Sequence, residues 1–313
     1  MVQETQVIPA DAVARTWVEN APSPWQPYLR LARLDRPIGT WLLFWPCVFG
    51  LAIGAAAQHR GLFSSSRDWL LLLLFGIGAI AMRGAGCTYN DIVDRKVDAR
   101  VARTRGRPIP SGAVKVKQAW MFAAAQCAIG LIILLCLNGF SIALGFLSLV
   151  FVALYPFMKR ITWWPQAWLG LTFNWGALLG YAALTGRMSA IDLVLYIGSV
   201  FWTLGYDTIY ALQDVEDDAL AGVKSTARLF GSHARTWVLL FYAMAFAFMA
   251  AAAAYAFDSC FAVLLLIPSA AHFIWQARRL EFSKPESNLR LFQTNRDVGG
   301  IIAAALLAGS WIL

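Results

Sequence analysis

Apolar residues in this chain come in blocks of about twenty, the length a helix needs to cross a hydrocarbon core roughly 30 Å thick. Nine such blocks stand out, over 38–57, 69–90, 118–137, 140–157, 164–185, 190–211, 236–256, 260–277 and 296–313. They predict an all-α, polytopic membrane protein with nine transmembrane helices. The polar stretches between the blocks are unequal. Long ones join the second block to the third and the sixth to the seventh, whereas Asn138-Gly139 alone joins the third to the fourth and predicts a tight antiparallel pair. Residues 1–27 contain no such block. Their Pro-rich end, Ala21 to Pro27, predicts a flexible lead-in to a membrane domain over 28–313.

Composition strengthens the membrane reading. The 313 residues are 59% hydrophobic and 14% charged, against roughly 25% charged in a soluble domain. Nucleic acid is excluded as a partner despite the net charge of +8, because no polar domain exists to carry a basic face. Cys47, Cys87, Cys127, Cys136 and Cys260 lie in or beside apolar blocks without a CxxC pair, and read as small hydrophobes. No secretory signal is expected in the first thirty residues, and Glu4, Asp11 and Glu19 count against an organellar transit segment.

Charge also orients the chain. Of the 26 Lys and Arg, 22 fall on the N-terminal segment and the loops after even-numbered blocks, only Arg60, Arg67 and Arg187 fall on the opposite side, and Arg83 lies inside the second block. Positively charged loops stay inside. The N-terminus and both long loops therefore face the cytoplasm or the mitochondrial matrix. A bacterial cytoplasmic membrane is the first expectation, a mitochondrial inner membrane the alternative.

Eight of the 18 acidic residues then become conspicuous. Asp91, Asp94 and Asp98 close the second block; Asp214, Glu216, Asp217 and Asp218 follow the sixth, with Asp207 just upstream. A carboxylate within a membrane helix costs about 2.5–3.5 kcal/mol on insertion scales, so such clusters need a compensating partner. Asn90, Asp94 and Asp98 are spaced i, i+4, i+8 and predict one helical stripe, with Asp91 on its flank and Arg83 continuing the face inward. Asp214 and Asp218 predict a second stripe that Asp207 shares at i, i+7, with Asp217 one turn on and Glu216 turned away. Such hard oxygen donors suit Mg²⁺, which binds through one or two carboxylates, waters and phosphate oxygens. Asn90, Asp91, Asp94, Asp98, Asp214, Asp217 and Asp218 are the expected metal-side residues. Arg95, Lys96 and Lys224 stand beside them as phosphate contacts. Lys159 and Arg160 end the fourth block after Tyr155; they either snorkel to the interface or bind an anionic group. Asn174 sits mid-block, where it either joins helices or lines a cavity. Tyr206 adds a polar tip near the second stripe. Arg33, Asp35 and Arg36 precede the first block, and Arg33 is expected to pair with Asp35.

The stretches NDIVDRKVDARVARTRGRPIPSG, YPFMKR and YDTIYALQDVEDDALAGVKST resemble the UbiA family of intramembrane prenyltransferases, as do RLDRPIGTWLLFWP and LGLTFNWGALLG. The likeness runs from about residue 28 to the end and points to the branch that prenylates 4-hydroxybenzoate in ubiquinone biosynthesis. It implies a helical bundle around a central cavity open to lipid, Mg²⁺, a polyprenyl diphosphate donor and a small aromatic acid as acceptor. In that setting the acidic residues hold the metal and diphosphate, and Lys159, Arg95 and Lys224 add positive charge. Arg160 takes the substrate carboxylate, and Asp207 or Asp214 takes the ring proton. Arg83, Tyr155, Asn174 and Tyr206 complete the expected substrate contacts. Rival expectations are another acceptor (homogentisate, dihydroxynaphthoate or haem) or a cation-coupled transporter.

Overall fold

A computed structural model of the chain describes residues 16–100, 104–220, 222–282 and 284–312. The helices are α1 (Gln26–Leu31), α2 (Ile38–Ala56), α3 (Ser66–Asp98), α4 (Val116–Leu135), α5 (Gly139–Ile161), α6 (Pro165–Phe173), α7 (Trp175–Thr185), α8 (Ala190–Ala211), α9 (Val215–Leu220), α10 (Thr226–Phe230), α11 (Ala234–Ala256), α12 (Ala262–Leu265), α13 (Ile267–Arg279), α14 (Pro285–Gln293) and α15 (Asn295–Ile312). Among the described residues there is no strand. The expected all-α class holds.

Among the described residues, five segments are long and apolar enough to cross a membrane: α2, α3, α4, α5 and the stretch Thr226–Ala256 that contains α10 and α11. The other apolar blocks are interrupted or carry polar residues. The block over 164–185 is broken at Asn174, and that over 260–277 is broken between α12 and α13. The block over 190–211 is one helix, α8, and carries Asp192 and Asp207. Hydropathy alone shows neither break, since each block is apolar on both sides of it. At 33 residues α3 is the longest helix. At 1.5 Å per residue it measures roughly 50 Å, so it outruns a hydrocarbon core and carries its last turns into the interface.

The chain divides into two compact units, one of residues 1–40 and 77–133, the other of 41–76 and 134–313. In the first, Leu31, Ile92, Ile109, Val114 and Ala119 form a buried core with Tyr28 and Phe122 packed on it. That core fixes α1 and the 104–115 loop onto the end of α3. Of the expected flexible lead-in, residues 1–15 lie outside the described residues. Residues Trp17–Asn20 form a 3-10 turn with Val18 buried, and the Gln26 side chain donates to the Glu19 and Ala21 carbonyls.

In the second unit α8 is central. Leu144, Trp175, Leu178, Ala182 and Tyr196 make the core shared by α5, α7 and α8. A capping box of Ser189 and Asp192 starts α8. Farther along, Trp202 Nε1 donates to Asn295 at 2.9 Å, Asn295 and the Tyr242 hydroxyl both donate to Gln276 Oε1, and Gln276 donates to Thr294 at 2.9 Å. This chain of amides and hydroxyls satisfies the polar groups exposed where α14 gives way to α15 at Thr294. Asp68 is fully buried and ion-paired with Arg60, and it also accepts from the Phe63 amide, closing the α2–α3 turn.

Helices α2 and α7 meet backbone to backbone. A Cβ on Gly50 would strike the Ala177 carbonyl, and one on Gly180 would strike that of Cys47. Small residues permit such approach where lipid offers no hydrophobic drive to pack. Neither backbone can retreat, so Gly50→Ala and Gly180→Ala should each cost about 1–3 kcal/mol. Gly86→Ala, with open space at its Cβ, should cost less. Thermal melts of the detergent-solubilised variants decide this; equal melting of all three would reject the close-packed seam.

Candidate functional site

The first acidic stripe lies on the last turns of α3, as the spacing predicts. Asp91, Asp94 and Asp98 are buried at 0%, 1% and 7% exposure, and Asn90 is half-buried. Burial at that level demands compensation. Asp91 receives both oxygens' hydrogen bonds from Arg33 Nη2, at 2.7 and 2.9 Å, and a longer one from Arg107 at 3.4 Å. Arg107 also donates to Asp98 at 2.9 Å. Arg33 reaches Asp91 from a left-handed backbone position (φ 59°) just after α1, and its other nitrogen donates to the Arg30 carbonyl. The expected Arg33–Asp35 pair does not form. Arg36 takes Asp35 instead, at 3.0 Å, while Arg33 spans 58 residues to α3.

Around this stripe the expected cations are placed differently. Arg95 folds back to donate to the Ile92 carbonyl at 2.7 Å, and Lys96 is exposed. Arg83 lies half-buried, two turns inward, with its guanidinium against Gly39; a side chain at Gly39 would occupy the same space. The 104–115 loop is anchored by Thr104, whose hydroxyl donates to the Asp98 carbonyl at 2.9 Å.

The second stripe differs from expectation. Helix α8 ends at Ala211, and the backbone then tightens, with the amides of Leu212, Gln213 and Asp214 bonding three residues back. Asp207 and Asp214 therefore do not share one continuous helical face. Asp214 and Asp218 do flank one turn, the Asp218 amide bonding the Asp214 carbonyl at 2.7 Å, and both side chains are half-buried. Glu216 is exposed, as expected, and the Asp217 side chain lies outside the described residues.

What holds this loop is a set of tethers to α5 and α6. The Lys224 amide donates to the Lys159 carbonyl at 2.8 Å, and its ammonium donates to that of Ile161 at 3.1 Å. Thr226 is bonded to Thr208 on α8 and to Gln166 on α6. Arg228 donates to the Asp218 and Val223 carbonyls and stacks over Trp163 at 5.3 Å. Lys159, Arg160, Asp214, Asp218 and Lys224 are thereby brought to one end of this unit. Tyr155 and Lys159, four apart, share a half-buried face of α5, and Arg160 is exposed.

Asn174 is fully buried at the α6–α7 break. Its amide nitrogen donates to Gly170 at 2.8 Å and to Thr203 at 2.7 Å, and Thr203 in turn donates to the Tyr206 hydroxyl at 3.0 Å. Of the two readings of Asn174, joining helices is the one these bonds describe. Arg33, Arg107, Gln166 and Arg228 are the structural partners that sequence reasoning missed. Arg228, two residues past the end of the quoted YDTIYALQDVEDDALAGVKST stretch, is the one with a local signal.

Among the described residues no three His, Cys, Asp or Glu side chains gather as a metal-ligand group. Of the two acidic stretches, the one on α3 is engaged by Arg33 and Arg107 through Asp91 and Asp98, and by itself forms no cation cage. Each does offer hard oxygens and no thiolate or imidazole, a donor set suited to a divalent cation that keeps waters and phosphate oxygens as further ligands.

The model of the UbiA prenyltransferase family matches residues 43–297. The chain belongs to the UbiA prenyltransferase family. Its similarity to members is close: it is 45% identical to the mitochondrial 4-hydroxybenzoate polyprenyltransferase of Bos taurus, over 96% of this chain and 80% of that protein. It is 46% identical to that of Homo sapiens, over 94% and 78%. Solved UbiA structures share the fold. A UbiA homolog from Aeropyrum pernix K1 is 26% identical with TM-score 0.70, covering 86% of this chain and 97% of that one. One from Archaeoglobus fulgidus, bound to GPP and Mg²⁺, is 21% identical with TM-score 0.62, covering 91% and 98%.

Two ion pairs of unlike environment test the energetics of the UbiA acidic stripe. Arg33→Ala would leave buried Asp91 with only the 3.4 Å contact to Arg107, and should cost about 3–5 kcal/mol. Lys284→Ala removes an exposed pair with Glu281 and should cost at most about 1 kcal/mol. Denaturant unfolding in micelles measures both; similar losses would mean that Asp91 does not depend on Arg33.

Proposed function

We propose that this UbiA-family chain transfers a polyprenyl group from polyprenyl diphosphate to the ring carbon ortho to the hydroxyl of 4-hydroxybenzoate, in ubiquinone biosynthesis. The single observation that carries this reading is 45–46% identity, over nearly the whole chain, to proteins named for that activity. Nine membrane crossings around a cavity are part of the proposal, with residues 28–313 as the membrane domain and both acidic stretches on the inner face. The 22-to-3 split of basic residues supports that sidedness. The mitochondrial names of the relatives support the inner mitochondrial membrane alternative over a bacterial one.

Mg²⁺ is the proposed cofactor. When bound it supplies Lewis-acid neutralisation of the departing diphosphate. Asn90 and Asp94 from α3, with Asp214 and Asp218 from the second loop, are the side chains proposed to hold it, and Asp91, Asp98 and Asp217 stand behind them. Asp91 and Asp98 act through Arg33 and Arg107, which keep the stripe's outer carboxylates neutralised and its last turn fixed. Lys159, Lys224 and Arg95 offer positive charge to the diphosphate as the allylic C–O bond breaks. Lys96 extends that field at the rim.

The allylic carbon, made electron-poor by loss of diphosphate, forms a bond to the ring carbon beside the phenol. The ring then loses its proton to Asp207 or Asp214, which restores aromaticity. Arg160 is proposed to hold the substrate carboxylate with its planar fork and so orient the ring. Arg83, Tyr155, Tyr206 and Asn174 are proposed as walls of the acceptor pocket, Asn174 through its hold on Thr203. Apolar surroundings exclude water that would otherwise capture the allylic cation.

Asp94→Ala and Asp218→Ala should abolish Mg²⁺-dependent transfer to 4-hydroxybenzoate while the protein elutes normally in detergent. Ordinary turnover by either variant sinks the metal assignment. Arg160→Ala should raise the KM for 4-hydroxybenzoate at least tenfold, with the donor's KM little changed. Equal effects on both substrates reject the carboxylate role, and an acceptor-only effect seen in Arg83→Ala but not Arg160→Ala moves that role to Arg83.

A further inference from the structure

One cluster of positive charge lies apart from both acidic stretches. Arg235 stands in the first turn of α11; Arg278 and Arg279 close α13. Arg235 Nη2 donates to the Leu280 carbonyl at 2.7 Å, which sets its guanidinium at the C-terminal end of α13, beside Arg279 in the chain. The Arg279 guanidinium lies over the Trp275 ring, 5.5 Å from its centroid. All three arginines are exposed. Among the described residues none of them pairs with a carboxylate. The nearby acids are engaged elsewhere, Glu281 with Lys284 at 2.7 Å and Asp297 with Arg296 at 2.8 Å.

The surface leading to this cluster is apolar. Ile267 and Ile274 are 50% and 43% exposed, and with Arg278 they follow spacings of seven and four along α13, which places them on one face. Trp275 is 39% exposed beside them, and Phe282 projects just beyond the helix end. A stripe of exposed hydrocarbon that ends in uncompensated guanidiniums and an interfacial Trp is complementary to one kind of molecule. It needs acyl chains at one end and a phosphate at the other. A soluble anion would use the arginines and leave the stripe bare. Simple snorkelling explains one terminal Arg, but not an Arg of α11 bonded to the end of α13 where Arg278 and Arg279 stand, with Arg279 over the Trp275 ring.

We propose that the α11–α13 edge binds an anionic phospholipid. Arg235, Arg278 and Arg279 hold the headgroup phosphate, and the acyl chains lie along Ile267, Ile274 and Trp275. The basic loops put this edge on the inner leaflet, where anionic lipids attract clustered Lys and Arg. None of these residues belongs to the proposed reaction site, so the inference does not rest on the proposed reaction.

Native mass spectrometry of the full chain, released from micelles containing equal phosphatidylglycerol and phosphatidylcholine, tests it. The wild type should retain phosphatidylglycerol at least tenfold over phosphatidylcholine. Arg235→Gln, Arg278→Gln and Arg279→Gln should each weaken retention by about fivefold, and the triple variant by about a hundredfold. Triple Arg→Lys should keep most of the binding, because charge near the headgroup is retained. Size-exclusion elution identical to wild type keeps a folding defect from imitating the result. Retention of both lipids alike, or unchanged retention in the triple Gln variant, overturns the proposal. So does displacement of the lipid by an equal concentration of inorganic phosphate, since that would leave the apolar stripe without a role.

Discussion

A carboxylate removed from water must find a cation, and that requirement organises the inner end of α3. Asp91 is wholly buried there and held bidentately by Arg33. The bond joins the turn after α1 to a helix 58 residues on. Arg107 then serves both Asp91 and Asp98, drawing the following loop onto the same turn. The alternation of acid and base produces a rigid platform. Without it, three buried aspartates on one helix end would repel one another and pull the helix apart. Asp68 repeats the device at the other end of α3, where Arg60 neutralises it and the Phe63 amide adds a third bond.

The second acidic stretch is secured by other means. Asp214 and Asp218 are half-buried rather than buried, and hydrogen bonds to α5 and α6 fix the course of the loop. Arg228 acts there as a strut between carbonyls, with Trp163 beneath it. The contrast suits the proposed division of labour. One stretch presents oxygens from a helix end, and the other presents them from a loop whose backbone is pinned.

Much of this was legible in the sequence. The apolar blocks are helical, although α3 runs eight residues past the block over 69–90 and two blocks are each split into two helices; the Asn90–Asp98 stripe is helical, and Lys159, Lys224, Asp214 and Asp218 come to one end of their unit. Three things were not legible. The break at Asn174 lies within unbroken hydropathy, and it arises because the side chain bonds both Gly170 and Thr203. The helical face joining Asp207 to Asp214 fails because the backbone tightens after Ala211, which i, i+7 spacing does not register. Arg33 was assigned to its neighbour Asp35. A charge two residues away is the nearer choice in sequence, but a buried Asp91 is the stronger demand in space.

The bond from the Lys224 amide to the Lys159 carbonyl also has a bearing on assembly. It joins residues separated by all of α6, α7 and α8, so it can close only after that whole hairpin series has docked. The Asp214–Asp218 stretch therefore takes its final position only once α6, α7 and α8 have packed. An insertion in the Thr162–Trp164 turn, remote in sequence from any carboxylate, would be felt first as a misplaced Asp218.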